Sequence, residues 1–135
     1  MSDNKKIGDH VGVLTNDAER LKNFYMKKLE FKFEKDVILK KTLAKKIFNV
    51  SSDFRFIRLY KGNFKLELFE PITTSLKHKK GVFGGFHHWG FFVNNRKKYC
   101  EKLKRQKVKV IEIVKKDQIT YFIEDPDGNL IEMRD

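Results

Sequence analysis

Two histidines and two glutamates recur at matched places in this chain. His10 opens the run Asp9-His10-Val11-Gly12-Val13-Leu14, and His88 stands in His87-His88-Trp89-Gly90-Phe91-Phe92. Each His precedes, by two residues, a Gly inside a short apolar stretch. Glu67 lies in Phe64-Lys65-Leu66-Glu67-Leu68-Phe69 and Glu132 in Leu130-Ile131-Glu132-Met133. Two imidazoles and two carboxylates suit a borderline divalent ion such as Ni²⁺, Co²⁺, Zn²⁺, Mn²⁺ or Fe²⁺. In a six-coordinate site these four leave two neighbouring positions open, which two adjacent oxygens of one small substrate could fill. A lone His at a strand start is more often a hydrogen-bonded structural residue, and a lone strand Glu usually faces water. Their recurrence at equivalent positions is what selects the ligand reading. His88 is preferred to His87 because aligning the two runs pairs it with His10.

The elements that would position these residues also occur twice. After the first His run, Asn16 reads as an N-cap with Glu19 closing a capping box, and Ala18, Leu21, Phe24 and Tyr25 form the apolar stripe of a helix. After the second, a helix is expected from about Asn95 to Arg105, with Tyr99, Cys100 and Leu103 inward. Residues 56–60 and 64–69 flank Lys61-Gly62-Asn63 as a hairpin; residues 121–124 and 130–133 flank Asp125-Pro126-Asp127-Gly128-Asn129 as another. Phe31-Lys32-Phe33 and Val108–Ile113 supply one further strand to each half, and residues 39–49 read as a short helical insertion in the first. Each half is thus strand, helix, then about three strands, over about 5–70 and 86–135. Pro71, Gly81, Gly84, Gly85 and the lysines Lys77, Lys79 and Lys80 mark the boundary between them. The expectation is an α+β fold, a single domain made by internal duplication, because neither half of ~60 residues buries its sheet face well alone. Strand alternation sets Leu66 and Leu68 on one face and Lys65, Glu67 and Phe69 on the other. Phe69 and Phe92 share the ligand-facing parity and are expected to line a substrate pocket. Lys65 shares that parity and could reach an anionic substrate, a solvated lysine being the commoner case, and Trp89 is expected to fill the core behind the sheet.

Composition bounds the rest. At 135 residues and 40% hydrophobic, with 13 Phe, the chain can bury a core, and a disordered chain is excluded. The single cysteine, Cys100, excludes an internal disulfide and a cysteine-based zinc site, and reads as buried packing. No apolar stretch follows Met1–Lys6, so no signal peptide is expected, and no run is long enough to span a membrane; a cytoplasmic protein is the expectation. The net charge of +12 comes from basic residues scattered in short groups, outside any nucleic-acid-binding module. It reads as a solvated basic surface, with attraction of an anionic small substrate as the next reading, and no nucleic-acid or membrane partner is expected.

The same motifs carry a resemblance. Asp9–Val13, Asn23-Phe24-Tyr25 to Leu29-Glu30-Phe31, Leu66–Pro71, His87–Gly90 and above all Asp125–Glu132 resemble the vicinal oxygen chelate superfamily, which includes glyoxalase I, methylmalonyl-CoA epimerase, extradiol dioxygenases, and fosfomycin- and bleomycin-resistance proteins. The resemblance implies two tandem βαβββ modules forming a cup-shaped mixed sheet with helices outside, one divalent metal and a homodimer. It implies the metal ligands His10, Glu67, His88 and Glu132, with Glu132 or Glu67 moving a proton as the substrate passes through an enediolate. A lactoylglutathione lyase-like or epimerase-like reaction follows. A non-catalytic antibiotic-binding role and an extradiol dioxygenase are the alternatives, the latter opposed by the fourth protein ligand, Glu67. The chain departs from the glyoxalase I pattern in carrying Leu14 where an Arg holds glutathione and Glu70-Pro71 where an Asn follows the second ligand. Glu30 stands where a Gly commonly ends the first helix.

Overall fold

The computed structural model describes residues 7–78, 80, 81 and 83–135. Met1–Lys6, expected to carry no signal peptide, and Lys79 of the boundary lysines lie outside the described residues. The chain divides into two compact units, one ending at His78 and the other running to Asp135, so the division falls inside the segment the sequence marked. The fold is α+β.

The first unit runs β1 (His10–Leu14), α1 (Ala18–Lys27), β2 (Lys32–Leu39), α2 (Lys41–Phe48), β3 (Phe54–Lys61) and β4 (Phe64–Pro71). Its sheet order is β1-β4-β3-β2, with β1 parallel to β4 and the other pairs antiparallel. The second unit runs β5 (His88–Phe92), α3 (Arg96–Arg105), β6 (Lys109–Lys115), β7 (Gln118–Glu124) and β8 (Leu130–Arg134), in the order β5-β8-β7-β6. β5 lies parallel to β8, as β1 does to β4. The two units therefore match strand for strand in order and pairing, α2 being the first unit's own addition.

One face of each sheet packs under its helix. Leu21 and Tyr25 of α1 and Ile57, Leu59, Leu66 and Leu68 of β3 and β4 are all fully buried. In the second unit Cys100 and Leu103 of α3 face the helix-covered side with Ile123, Ile131 and Met133, all fully buried or within 1% of it. Each such aliphatic side chain contributes about 1.5–3 kcal/mol on leaving water. Burial also pushes the Cys100 thiol up to about 11, so it stays protonated and inert at neutral pH. Phe24 and Tyr99, expected on the inward stripes, are only half-buried; Phe24 instead meets Tyr25 edge-on at 5.2 Å. Trp89 is half-buried and stacks at 5.7 Å on Phe91.

The start of α1 corrects one expectation. Asp17, not Asn16, is the N-cap: its side chain accepts from the Arg20 amide at 3.0 Å. Asn16 is one residue too early to cap and instead exchanges two hydrogen bonds with the Leu76 backbone. Glu19 closes no capping box but pairs with Lys22 and Arg55. Glu70, noted above for its place after the second ligand strand, accepts from the Ala18 amide at 2.8 Å and so ties β4 to the helix start. Asp125 explains much of the loop it opens. It is buried and accepts from the Asp127 and Asn129 amides and from Asn129 Nδ2, holding the turn before β8.

All three helices end near a non-glycine residue in the left-handed region: Asn49 caps α2 at φ 57°, and Glu30 at φ 63° and Lys107 at φ 64° follow α1 and α3. Next to Glu30 and Lys107, a backbone amide returns to the helix: Phe31 to the Tyr25 carbonyl, and Val108 to that of Leu103. The side chain costs strain that glycine would not. Glu30→Gly and Lys107→Gly should each raise stability by about 1 kcal/mol, seen as a rise of a few degrees in the thermal midpoint.

Candidate metal-ligand pairs

The face of each sheet opposite its helix carries the residues singled out for chemistry. β1 pairs in register with β4 so that Gly12 faces Glu67, and β5 pairs with β8 so that Gly90 faces Glu132. His10 Nε2 stands 3.3 Å from Glu67 Oε1, and His88 Nε2 stands 3.6 Å from Glu132 Oε1. Within each unit the structure brings the expected His and Glu together. Among the described residues no group of three or more His, Cys, Asp or Glu side chains is gathered to hold a metal.

What the other ring nitrogen does gives each pair its meaning. His10 Nδ1 is 2.7 Å from Asp9 Oδ2. That hydrogen bond, more than any nearby charge, holds the Asp9 carboxyl below its ordinary range, so the carboxylate only accepts and Nδ1 carries the proton. In a neutral ring Nε2 then presents a lone pair to the Glu67 oxygen. Two acceptors 3.3 Å apart call for a positive charge between them, either a second proton on the ring or a metal ion. A direct N–H···O bond is ordinarily about 2.7–3.2 Å. Two donors on one ion, each bound at about 2.1 Å, sit about 3.0 Å apart in octahedral and about 3.4 Å in tetrahedral geometry. The donor types fit a metal, and so does the His10–Glu67 spacing; the 3.6 Å of His88–Glu132 is longer than either geometry gives. In the second unit His88 Nδ1 lies 2.9 Å from His87 Nδ1, a partner that can either donate or accept. His87, the fallback ligand, thus sits on the far side of the His88 ring from Glu132.

Sequence reasoning gave no supporting role to four neighbours. Asp9 and His87 each directly precede a candidate ligand, and that shared spacing was the available signal. Arg58 lies across the ladder from Glu67 and donates to Glu67 Oε2 through Nε and Nη2, both at 2.8 Å, while reaching Glu34 at 3.0 Å. Glu67 is 8% exposed and keeps only Oε1 for a metal. Phe122 holds the equivalent place across from Glu132, and the His88 ring meets it edge-on at 4.9 Å. Glu132 Oε2 is more lightly held, by Arg134 Nη1 at 3.3 Å.

The expected pocket residues divide. Phe69 is half-buried and stacks on Phe56 at 4.7 Å, with Phe48 of α2 at 4.9 Å, so α2 extends an aromatic wall on the ligand-facing side. Lys65 is half-buried opposite His10 in the ladder. Phe92 is 78% exposed at the end of β5. Leu14, standing where glyoxalase I carries an Arg, is paired with Phe69 in the ladder.

Over residues 8–133 the chain matches the model of the Glyoxalase/Bleomycin resistance protein/Dioxygenase superfamily, and it belongs to that superfamily. No curated protein matches it. Solved structures share its fold. A glyoxalase family protein from Bacillus cereus superposes with a TM-score of 0.75 at 14% identity, covering 98% of this chain and 96% of that one. The trypanothione-dependent glyoxalase I of Leishmania major gives 0.68 at 20% identity, over 97% and 87%. TnmS3, an antibiotic-binding protein from Streptomyces sp. CB03234, gives 0.67 at 17% identity, over 98% of both. Among the described residues no helix is long and apolar enough to cross a membrane.

Two substitutions test this packing. A Cβ on Gly90 would stand 2.8 Å from the Glu132 carbonyl oxygen, whereas one on Gly12 would meet only the Phe69 ring at 3.6 Å. Gly90→Ala should cost about 1–3 kcal/mol in chemical denaturation while Gly12→Ala is nearly neutral. Arg58→Gln removes the fork that holds a nearly buried carboxylate. It should cost about 1–2 kcal/mol, and Glu67→Gln in the same chain should recover part of that in a double-mutant cycle.

Proposed function

We propose that the protein is a divalent-metal-dependent lyase or isomerase of the glyoxalase type, acting through an enediolate on a small substrate with two adjacent oxygens. Lactoylglutathione lyase-like and epimerase-like reactions are its leading forms. The single observation that carries this reading is the twice-made pair in which a histidine Nε2 faces a glutamate oxygen while its Nδ1 is engaged elsewhere. On this reading His10 and Glu67 act with His88 and Glu132 on one ion per chain, which is Ni²⁺, Co²⁺, Zn²⁺, Mn²⁺ or Fe²⁺. When bound, that ion would polarise the two substrate oxygens and lower the barrier to loss of a neighbouring proton.

The chain's own residues would do the rest. Asp9 and His87 fix the two imidazole rings through their Nδ1 atoms, as outer partners of ligating histidines do. Arg58 anchors Glu67 through Oε2 and keeps it a one-oxygen ligand. Glu132, held by one 3.3 Å contact to Arg134, has the freer carboxylate, and of the two candidate bases it is the better placed to take a proton from substrate carbon and return it. Phe69, which presents an apolar surface with Phe56 in the first unit, is on this reading a substrate contact, as are Lys65 and Phe92. The working protein is a single-domain homodimer in the cytoplasm with no nucleic-acid partner.

A second reading, a non-catalytic binder of small molecules such as antibiotics, is favoured by the stacked Phe56–Phe69 wall and by Arg58 already neutralising Glu67. Metal analysis separates the two. The protein loaded with Co²⁺ or Ni²⁺ should hold one ion per chain, and His88→Ala should weaken binding by more than about a hundredfold. Loaded protein should then turn over either methylglyoxal hemithioacetals or methylmalonyl-CoA. No stoichiometric ion under any loading condition sinks the enzyme and leaves the binder.

A further inference from the structure

The second unit contains a cavity of about 400 Å³ on the same side as His88, Glu132 and Phe122, and its cations are not needed to bind a metal. Arg96, Lys115 and Arg134 also line it. They come from three separate elements: the first residue of α3, the last of β6 and the last of β8. Among the described residues that line it, Glu132 is the only carboxylate. The guanidinium contacts are long, Arg134 to Glu132 at 3.3 Å and Arg96 to Asp135 at 3.6 Å, where a strong charge-assisted bond is about 2.7–2.9 Å. Both forks therefore keep donors for another acceptor.

Two comparisons inside the molecule set this charge apart. The first unit has Phe69 two residues past its glutamate, where the second has Arg134. A neighbouring cavity of about 500 Å³ shares Arg96 but sets Asp117 and Asp135 beside Arg96, Lys97 and Lys116, so its lining carries less excess positive charge. Positive charge in a concave site focuses the field and raises the local concentration of anions.

We propose that this cavity binds an oxyanionic group, a carboxylate or a phosphate, carried by the small molecule on which the His88–Glu132 pair acts. The proposal rests on the reading of that pair as part of the working site. It names the substrate class as an anion whose charged group sits beside its reacting oxygens. Arg134 and Arg96 take the oxyanion through paired N–H donors, and Lys115 adds a point charge.

The test titrates metal-free protein with inorganic phosphate and with malonate, and with 1,2-propanediol as neutral control, at about 0.15 M salt to screen surface attraction. Amide NMR shifts of β6, β7 and β8 are followed. At least one anion should bind saturably there and the diol should not; the tighter anion assigns phosphate or carboxylate. Arg134→Gln with Lys115→Gln should weaken that binding by about tenfold or more. Lys45→Gln with Lys46→Gln on α2 should leave it nearly unchanged. Arg96→Gln serves as a separate probe if the first pair disturbs the fold by circular dichroism. Equal loss in the α2 pair, or no saturable anion, overturns the proposal. Co²⁺ binding is measured on the same samples. Anion binding by protein that takes no Co²⁺ keeps the subsite and removes the metal reading, and Co²⁺ binding without any anion does the reverse.

Discussion

The alternation of side chains along β4 and β8 is the constraint on which each unit depends. Leu66 and Leu68 are fully buried on the helix-covered face, and that burial fixes the strand's register. A slip of one residue would turn both leucines out and Glu67 inward. The parallel partner strand then has no freedom: with β1 locked beside β4, Gly12 faces Glu67 and His10 lies within reach of its oxygen. The same lock in the second unit sets Gly90 against Glu132, so closely that only glycine fits there without a shift of backbone. Apolar packing on one side of each sheet thus holds a polar pair in place on the other.

Much of this was legible in the sequence because it depends on period and repetition. Alternation around Glu67 and Glu132, the turns at Gly62 and Gly128, and the His-x-Gly runs are local patterns, and the structure reproduces the elements they imply. What could not be read was pairing across the ladder. Arg58 sits nine residues before Glu67 in the chain, and only the turn length and register make them opposite. The Asn16 cap failed for a similar reason: Asp17 and Asn16 have equal capping chemistry, and a contact sixty residues away, at Leu76, draws Asn16 off. Caps are decided by neighbours as well as by residue type.

The shared topology also shows where the two units differ. Across from its glutamate the first unit carries Arg58 and the second Phe122; two residues beyond the glutamate the first carries Phe69 and the second Arg134. The cation and the aromatic ring have in effect exchanged places. In the first unit the charge lies against the carboxylate and is consumed by it, leaving an aromatic surface formed by Phe56, Phe69 and Phe48. In the second the ring supports the histidine edge-on, and the positive charge moves outward to the cavity rim.

That exchange bears on which glutamate could serve as a base. A carboxylate that accepts two 2.8 Å bonds from one guanidinium has its second oxygen fully engaged, and moving a proton through it would first require breaking that fork. Glu132 faces no such requirement, because its 3.3 Å contact to Arg134 is the longer and weaker one. If the charged group of a substrate draws Arg134 toward itself, it also releases Glu132 Oε2. Recognition of the anion and freeing of the base would then be the same movement of one side chain. The first unit has no means of doing this, since Arg58 is held from its other side by Glu34 as well.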